Sequence, residues 1–437
     1  MEKKFQIIHP YAAGIDIGST HIYIDAGNGI VKSFETFTDN LYEASEYLKQ
    51  AGVNTVAMEA TGIYWVILYD VLENAGIDVW LVNGRDVKHV PGRKSDVSDC
   101  QWIRQLHSYG LLRKSFIPNN EIRELRAYMR LRENHIHSSS REINHMDKAL
   151  VLMNVRLSSV ISSLNSKTGI NIIEAILSGE TKKEVLVELC DIRILKKKRS
   201  EILSSLKGNF QPQYLFALQQ AYEAWCFFEK QICSCDKKIE ALLIRLNQGK
   251  QITTDEVLAK KQLKHHAPKI QHLHTQMLLL SGGNDVTLLP GITDYTALQI
   301  FSEIGTDMKN WATEKHFASW LGLSPVKHTS GKVDKKTKGY KKTNAGNIFR
   351  QAAQALLISK YNALGAFGRR IRSRKGPFVA IKALARKLAC MFYRVMTNGI
   401  KYVEQGVEKY EAKYKEALLR QLQKQASLLK LQLIPTS

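Results

Sequence analysis

The first 108 residues constrain the fold most. Apolar runs at 12–17 (Ala-Ala-Gly-Ile-Asp-Ile), 21–26 and 30–36 are separated by tight-turn signals, above all Gly27-Asn28-Gly29, and predict three strands joined as hairpins. The periodicity then alternates between helix and strand. It predicts a helix near 39–51 capped by Asp39 or Asn40, a strand at 53–58, a helix at 63–75, a strand at 77–82, and a helix at 95–108 opened by Ser95. An order β-β-β-α-β-α-β-α reads as an antiparallel meander extended by parallel α/β crossovers.

That order is typical of the ribonuclease-H-like fold, which is the expectation for an α/β domain over residues 10–115. Beyond it the chain reads as helical. Long helices at 119–160 and 213–247, dense in Arg, Lys and Glu, suggest an antiparallel coiled-coil arm within a middle region 116–285. Short helices are expected at 171–178 and 181–206, and 248–285 reads as a connection. A mainly α domain follows over 286–403, broken by a polar loop at 327–346, and a helical tail at 404–437.

Charge divides along the same lines. Of 437 residues, 63 are Lys or Arg and 41 Asp or Glu, a net +22 that calls for a polyanionic partner. Residues 1–110 hold 9 basic and 14 acidic residues, whereas 335–403 hold 17 basic residues and no acid. Ala352, Ala355, Leu356, Ile381, Leu384, Leu388, Met391 and Phe392 fall at helical spacing within that basic stretch, so it reads as a folded domain binding a phosphate backbone. No apolar run is long enough to span a membrane, and the start, Met-Glu-Lys-Lys-Phe, has no apolar core of a secretory signal. Six cysteines make no disulfide framework, which suits a reducing cytoplasm, and Cys226, Cys233 and Cys235 read as packed helix positions rather than a metal site.

Four carboxylates stand where that fold can gather them. Asp16 lies in the first strand, Glu59 ends the fourth, and Asp96 and Asp99, three apart, share one face of the helix that follows. First and fourth strands are neighbours in a ribonuclease-H-like sheet. Four clustered carboxylates repel unless a cation neutralises them, and hard oxygen ligands suit Mg²⁺, or Mn²⁺, in phosphodiester chemistry. The string Gly14-Ile-Asp-Ile-Gly-Ser-Thr20 also opens the phosphate loops of sugar kinases and actin-like ATPases, but the second loop and adenosine pocket those folds need are missing.

In the basic domain, Leu289-Pro290-Gly291-Ile292 followed by an amphipathic run to Gly305 reads as a helical hairpin that can offer backbone amides to phosphate. Ser330, before Gly331 and between lysines, is either a polar turn or a nucleophile toward a phosphodiester. Candidate backbone-binding residues are Lys327, Lys332, Lys335, Lys336, Lys338, Lys341, Lys342, Arg350, Arg369, Arg370, Arg372, Arg374 and Lys375. His135-Ile136-His137 and His272-Leu273-His274 match the His-hydrophobic-His of rolling-circle nucleases, but neither lies in an expected strand. His265 and His266, with His272 and His274, read as a solvated basic patch.

Taken together these motifs resemble the DEDD transposases of the insertion-sequence 110 family, the bridge-RNA-guided recombinases. Met58-Glu-Ala-Thr-Gly-Ile-Tyr-Trp65 and Arg93-Lys-Ser-Asp-Val-Ser-Asp99 resemble its RuvC-like motifs. Pro290-Gly291-Ile292, Gly322-Leu323-Ser324-Pro325, Ser330-Gly331 and Gly346-Asn347-x-x-Arg350 resemble its C-terminal transposase domain. Thr293 and Asp294 stand where the family commonly continues with Gly, and Cys100 where Ala is usual. The resemblance implies a Mg²⁺-binding tetrad of Asp16, Glu59, Asp96 and Asp99, and Ser330 as the nucleophile of a covalent serine–DNA intermediate. It also implies a homo-oligomer with a composite site, acting on element-end and target DNA under a structured guide RNA. The alternatives are a RuvC-like Mg²⁺-dependent junction endonuclease using water, and a non-catalytic nucleic-acid scaffold.

Overall fold

The computed structural model describes residues 6–60, 62–87, 96–251, 266–325, 329–330, 333–334, 343–399, 407–429 and 431–432. It divides into two compact units, Met1–Ile117 and Pro118–Ser437.

In the N-terminal unit β1 (Ala12–Ile17), β2 (His21–Asp25) and β3 (Val31–Glu35) form the expected meander. After α1 (Thr38–Gln50), strand β4 (Thr55–Glu59) enters beside β1; α2 (Trp65–Asn74) then leads to β5 (Asp78–Val82). The sheet order is β3-β2-β1-β4-β5, with antiparallel pairs in the meander and parallel pairs β1–β4 and β4–β5. A short α3 (Gly84–Val87) and then α4 (Asp96–Ser108) complete the mixed α/β unit.

Alternation along the strands builds two packing faces. Ile15, Ile22, Ile24, Val56, Met58 and Leu81 bury against Leu41, Ala44 and Leu48 of α1 and Leu68 and Leu72 of α2. On the other face Ala57 and Val82 pack with Ile103 and Leu106 of α4. The cap of α1 is Phe37, without a side-chain bond, rather than Asp39 or Asn40. Asp39 sits inside the first turn, where the helix dipole favours an acid. The expected cap Ser95 lies outside the described residues.

The C-terminal unit begins with α5 (Asn120–Leu152), which pairs antiparallel with α9 (Pro212–Leu246). The pairing is fixed by Arg132 with Asp236 (2.5 Å), Ser139 with Glu229 (2.9 Å) and Arg245 with Glu124. α5 stops at Leu152, short of the expected 160, because Asn154 turns left-handed (φ 57°) and the chain doubles back. At that end α6 (Lys167–Leu177), α7 (Lys183–Val187) and α8 (Ile192–Ser205) close a core around Leu150, Ile172, Ile173, Leu186, Ile202 and Leu218. Three helices thus replace the two expected over 171–206. Cys226, Cys233 and Cys235 lie on α9, with Cys235 buried.

The expected connection 248–285 contains a helix, α10 (Leu273–Leu280). Next come α11 (Asp294–Ile304), α12 (Glu314–Trp320), α13 (Asn344–Ile358), α14 (Ala363–Lys375) and α15 (Pro377–Asn398). Phe301, Phe317, Phe349 and Phe392 are wholly buried among these helices, Phe349 and Phe392 with ring centroids 5.5 Å apart. Within the polar loop 327–346, β6 (Thr329–Ser330) pairs antiparallel with β7 (Val333–Asp334), and α13 begins at Asn344 rather than after 346. The tail forms α16 (Val407–Leu428). No described helix is long and apolar enough to cross a membrane.

Candidate active site

The carboxylate site starts from a glycine. A Cβ at Gly14 would overlap the backbone of Cys100 and Arg104, so only glycine lets α4 lie directly on β1. Side chains alternate along β1: Ile15 and Ile17 enter the core, and Asp16 points to the α4 side, half-buried. β4 runs parallel with Gly14 opposite Ala57 and Ile15 opposite Met58. Carried one residue further, the register sets Asp16 beside Glu59 on neighbouring strands roughly 4.8 Å apart. Glu59 is half-buried, and a Cβ at Gly84 would strike its Oε1, so the glycine that opens α3 is the floor under this carboxylate.

Asp99 lies on α4, which packs directly against β1. Cys100 is fully buried against β1, and burial, then Asp25, then Asp16 push its thiol up to about 12. Asp16 therefore acts electrostatically on the residue next to Asp99, which is half-buried. The side chain of Asp96, the first residue of α4, lies outside the described part. Asp25 is a further buried acid, 3% exposed, neutralised by Arg104 Nε at 2.7 Å. Its signal in the sequence was an acid closing an apolar strand; the pairing with a residue 79 positions away carried no signal.

The donors are all oxygen, two of them on neighbouring strands, and the Gly84 floor leaves room for the Glu59 carboxylate, which suits a hard divalent cation. Among the described residues no three His, Cys, Asp or Glu side chains stand as a ready metal-holding group.

In the C-terminal unit the backbone of Ser330 lies in β6, opposite Val333; its side chain is outside the described part. Lys327, Lys332, Lys335, Lys336, Lys338, Lys341 and Lys342 also lie outside it. The helix that follows is built tightly. Thr343 caps α13 by accepting from Gly346 N (3.0 Å), and a Cβ at Gly346 would strike Leu321 O. Arg350 donates to Asn347 Oδ1 (2.7 Å) and Gly322 O (3.2 Å), tying α13 to the Gly322–Pro325 turn. Burial lowers its guanidinium below the usual range. Arg369 donates to Ser359 O, Arg370 lies over the Tyr414 ring (3.2 Å), and Arg372, Arg374 and Lys375 are exposed in the last turn of α14.

Thr293 is the N-cap of α11, its Oγ1 accepting from Thr296 N at 3.1 Å. The neighbouring Asp294 is buried and bonded to His274 Nδ1 (2.8 Å). His274 thus belongs to the core of this unit rather than to a surface patch. His272 opens α10 in a left-handed conformation, and His135 and His137 lie on α5. His265 is outside the described residues.

Two family models match. Residues 13–155 match the DEDD, IS110-type model described as Transposase, and residues 284–367 match Transposase IS116/IS110/IS902 family. The chain belongs to the IS110 family of transposases. It is therefore an enzyme of insertion-sequence transposition, of a kind that cleaves and transfers DNA. No curated protein matches it. The first match contains the carboxylate strands and α4, the second the Ser330 segment and α13.

Proposed function

We propose that this transposase is a site-specific recombinase that cuts and exchanges DNA strands through a covalent serine–DNA intermediate. In this reading the N-terminal unit is a ribonuclease-H-like, RuvC-like domain, and Asp16, Glu59, Asp96 and Asp99 hold Mg²⁺ or Mn²⁺. The observation that carries it is the register of β1 and β4, which sets Asp16 beside Glu59 on the face where α4 packs. When bound, the ions supply positive charge to the phosphodiester being transferred. Ser330 Oγ forms a bond to phosphorus as a strand P–O bond breaks, and the departing oxygen takes up a proton. Because the strand stays attached to the protein, it is resealed to a new partner without hydrolysis.

Exposed Arg372, Arg374 and Lys375 and the lysines of 327–342 hold phosphates without reading sequence. Sequence choice then falls to a structured guide RNA pairing with both DNAs, and the tetrad of one protomer serves the serine of another in a homo-oligomer.

The carboxylate half of this reading is tested by cleavage of labelled element-end DNA in chelator, with Mg²⁺ or Mn²⁺ added back. Cleavage should require the added ion and fall by at least about a hundredfold in Asp16→Asn and Glu59→Gln, with DNA binding retained. Undiminished cleavage in chelator or in both variants refutes it.

A further inference from the structure

The C-terminal unit contains a cleft of about 380 Å³ between α5, α11 and the start of α13, and its chemistry is unlike that of the rest of this basic chain. Asn134 from α5, Gln299 from α11 and Gln351 from α13 line it, and their side chains make no hydrogen bond among the described residues. Arg130 also lines it but is committed to a fork-to-fork pair with Glu303, both bonds 2.9 Å. Glu133 adds a second carboxylate. Tyr295, its hydroxyl held by Arg132 Nη1 at 3.0 Å, forms an aromatic wall.

A phosphate is a poor occupant here, because two carboxylates face it and the nearest guanidinium is already paired. A planar, neutral group with alternating donors and acceptors is a good one. A side-chain amide presents C=O and NH₂ side by side and can pair with the edge of any base, whereas a carboxylate accepts from the exocyclic amine that adenine, cytosine and guanine carry and thymine lacks. Tyr295 offers a ring against which a base can lie.

We propose that this cleft receives one unpaired base of the DNA strand and favours a base with an exocyclic amine, such as adenine or cytosine, over thymine. The proposal rests on the reading of the chain as a transposase that holds DNA. It gives the protein a base-reading site of its own, separate from the phosphate-holding lysines and arginines and from any pairing partner. It lies in the same unit as the serine segment, and α13, which lines it through Gln351, follows that segment in the chain.

The test is fluorescence anisotropy of the full chain with short labelled homopolymers of dA, dC and dT and the matching RNA oligomers. The wild type should bind dA or dC about tenfold more tightly than dT, the size of one good bidentate base contact. Glu133→Gln should lower that preference severalfold, and Gln351→Leu, on an exposed position, should weaken dA, dC and dT binding alike. Tight DNA binding without preference, a preference that survives Glu133→Gln, or a preference seen only with RNA overturns the proposal and leaves the DNA-binding reading standing. Absence of binding to every DNA overturns both.

Discussion

Arg132 and Asp236 join the helical arm to the helices of the serine-bearing half, and their removal has a calculable cost. Arg132 is 1% exposed and Asp236 2%. Arg132 Nε donates to Asp236 Oδ1 at 2.5 Å; its other nitrogens reach Tyr295 Oη and His266 O, both at 3.0 Å. Asp236 Oδ2 also accepts from Lys269 N at 2.9 Å. One side-chain pair therefore fastens α5, α9, the 266–269 segment and α11. Substituting either partner alone leaves a buried charge without its counter-ion, which costs about 3–5 kcal/mol. Arg132→Met and Asp236→Leu together remove both charges, so the double variant should cost about 2–3 kcal/mol less than the sum of the singles. Amide hydrogen exchange of α5 and α9 peptides reads the opening free energy of this region in the full chain. Singles costing under about 1 kcal/mol, or a double variant additive within about 0.5 kcal/mol, would refute the reasoning.

Two further outcomes follow from the N-terminal unit. Gly84→Ala places a methyl group against Glu59 Oε1, so strand cleavage should drop by about ten- to a hundredfold while circular dichroism is unchanged; an undiminished rate contradicts the Gly84 floor. Burial first, then the neighbouring His9, push the His107 imidazole down from its ordinary 6.5 to about 4, against the opposing pull of Asp78. The unfolded chain thus takes up this proton first, so the stability tied to a neutral His107 is intact above pH 6.5 and is lost as pH falls toward 4. Urea midpoints of the wild type should fall more between neutral and mildly acidic pH than those of His107→Gln, and parallel declines would show that His107 does not carry the effect.

The meander was legible because its signals are local. Gly27-Asn28-Gly29 fixes the hairpin, and alternation along β1 separates Ile15 and Ile17 from Asp16. Asp16 and Glu59 followed once neighbouring strands were assumed, since each interrupts an apolar run. What stayed hidden depends on partners distant in the chain. Nothing in the sequence marks Arg132 and Asp236, 104 positions apart, as the buried pair they form. Gly84 has no distinguishing sequence context, and only the fold sets it under Glu59. α10 escaped notice because Leu-His-Thr-Gln-Met-Leu-Leu-Leu has no polar face of its own, and its start is a left-handed histidine rather than a usual cap. The early end of α5 turned on one asparagine, Asn154, in a left-handed conformation.

The central claim is that a serine holds the cut strand, and one gel tests it most directly. The full chain is incubated with labelled element-end DNA, its flanking RNA and Mg²⁺, then denatured and resolved. The account predicts a labelled protein–DNA adduct that disappears in Ser330→Ala and in Asp16→Asn. Free cleaved ends with no adduct, or an adduct that persists in Ser330→Ala, would contradict it.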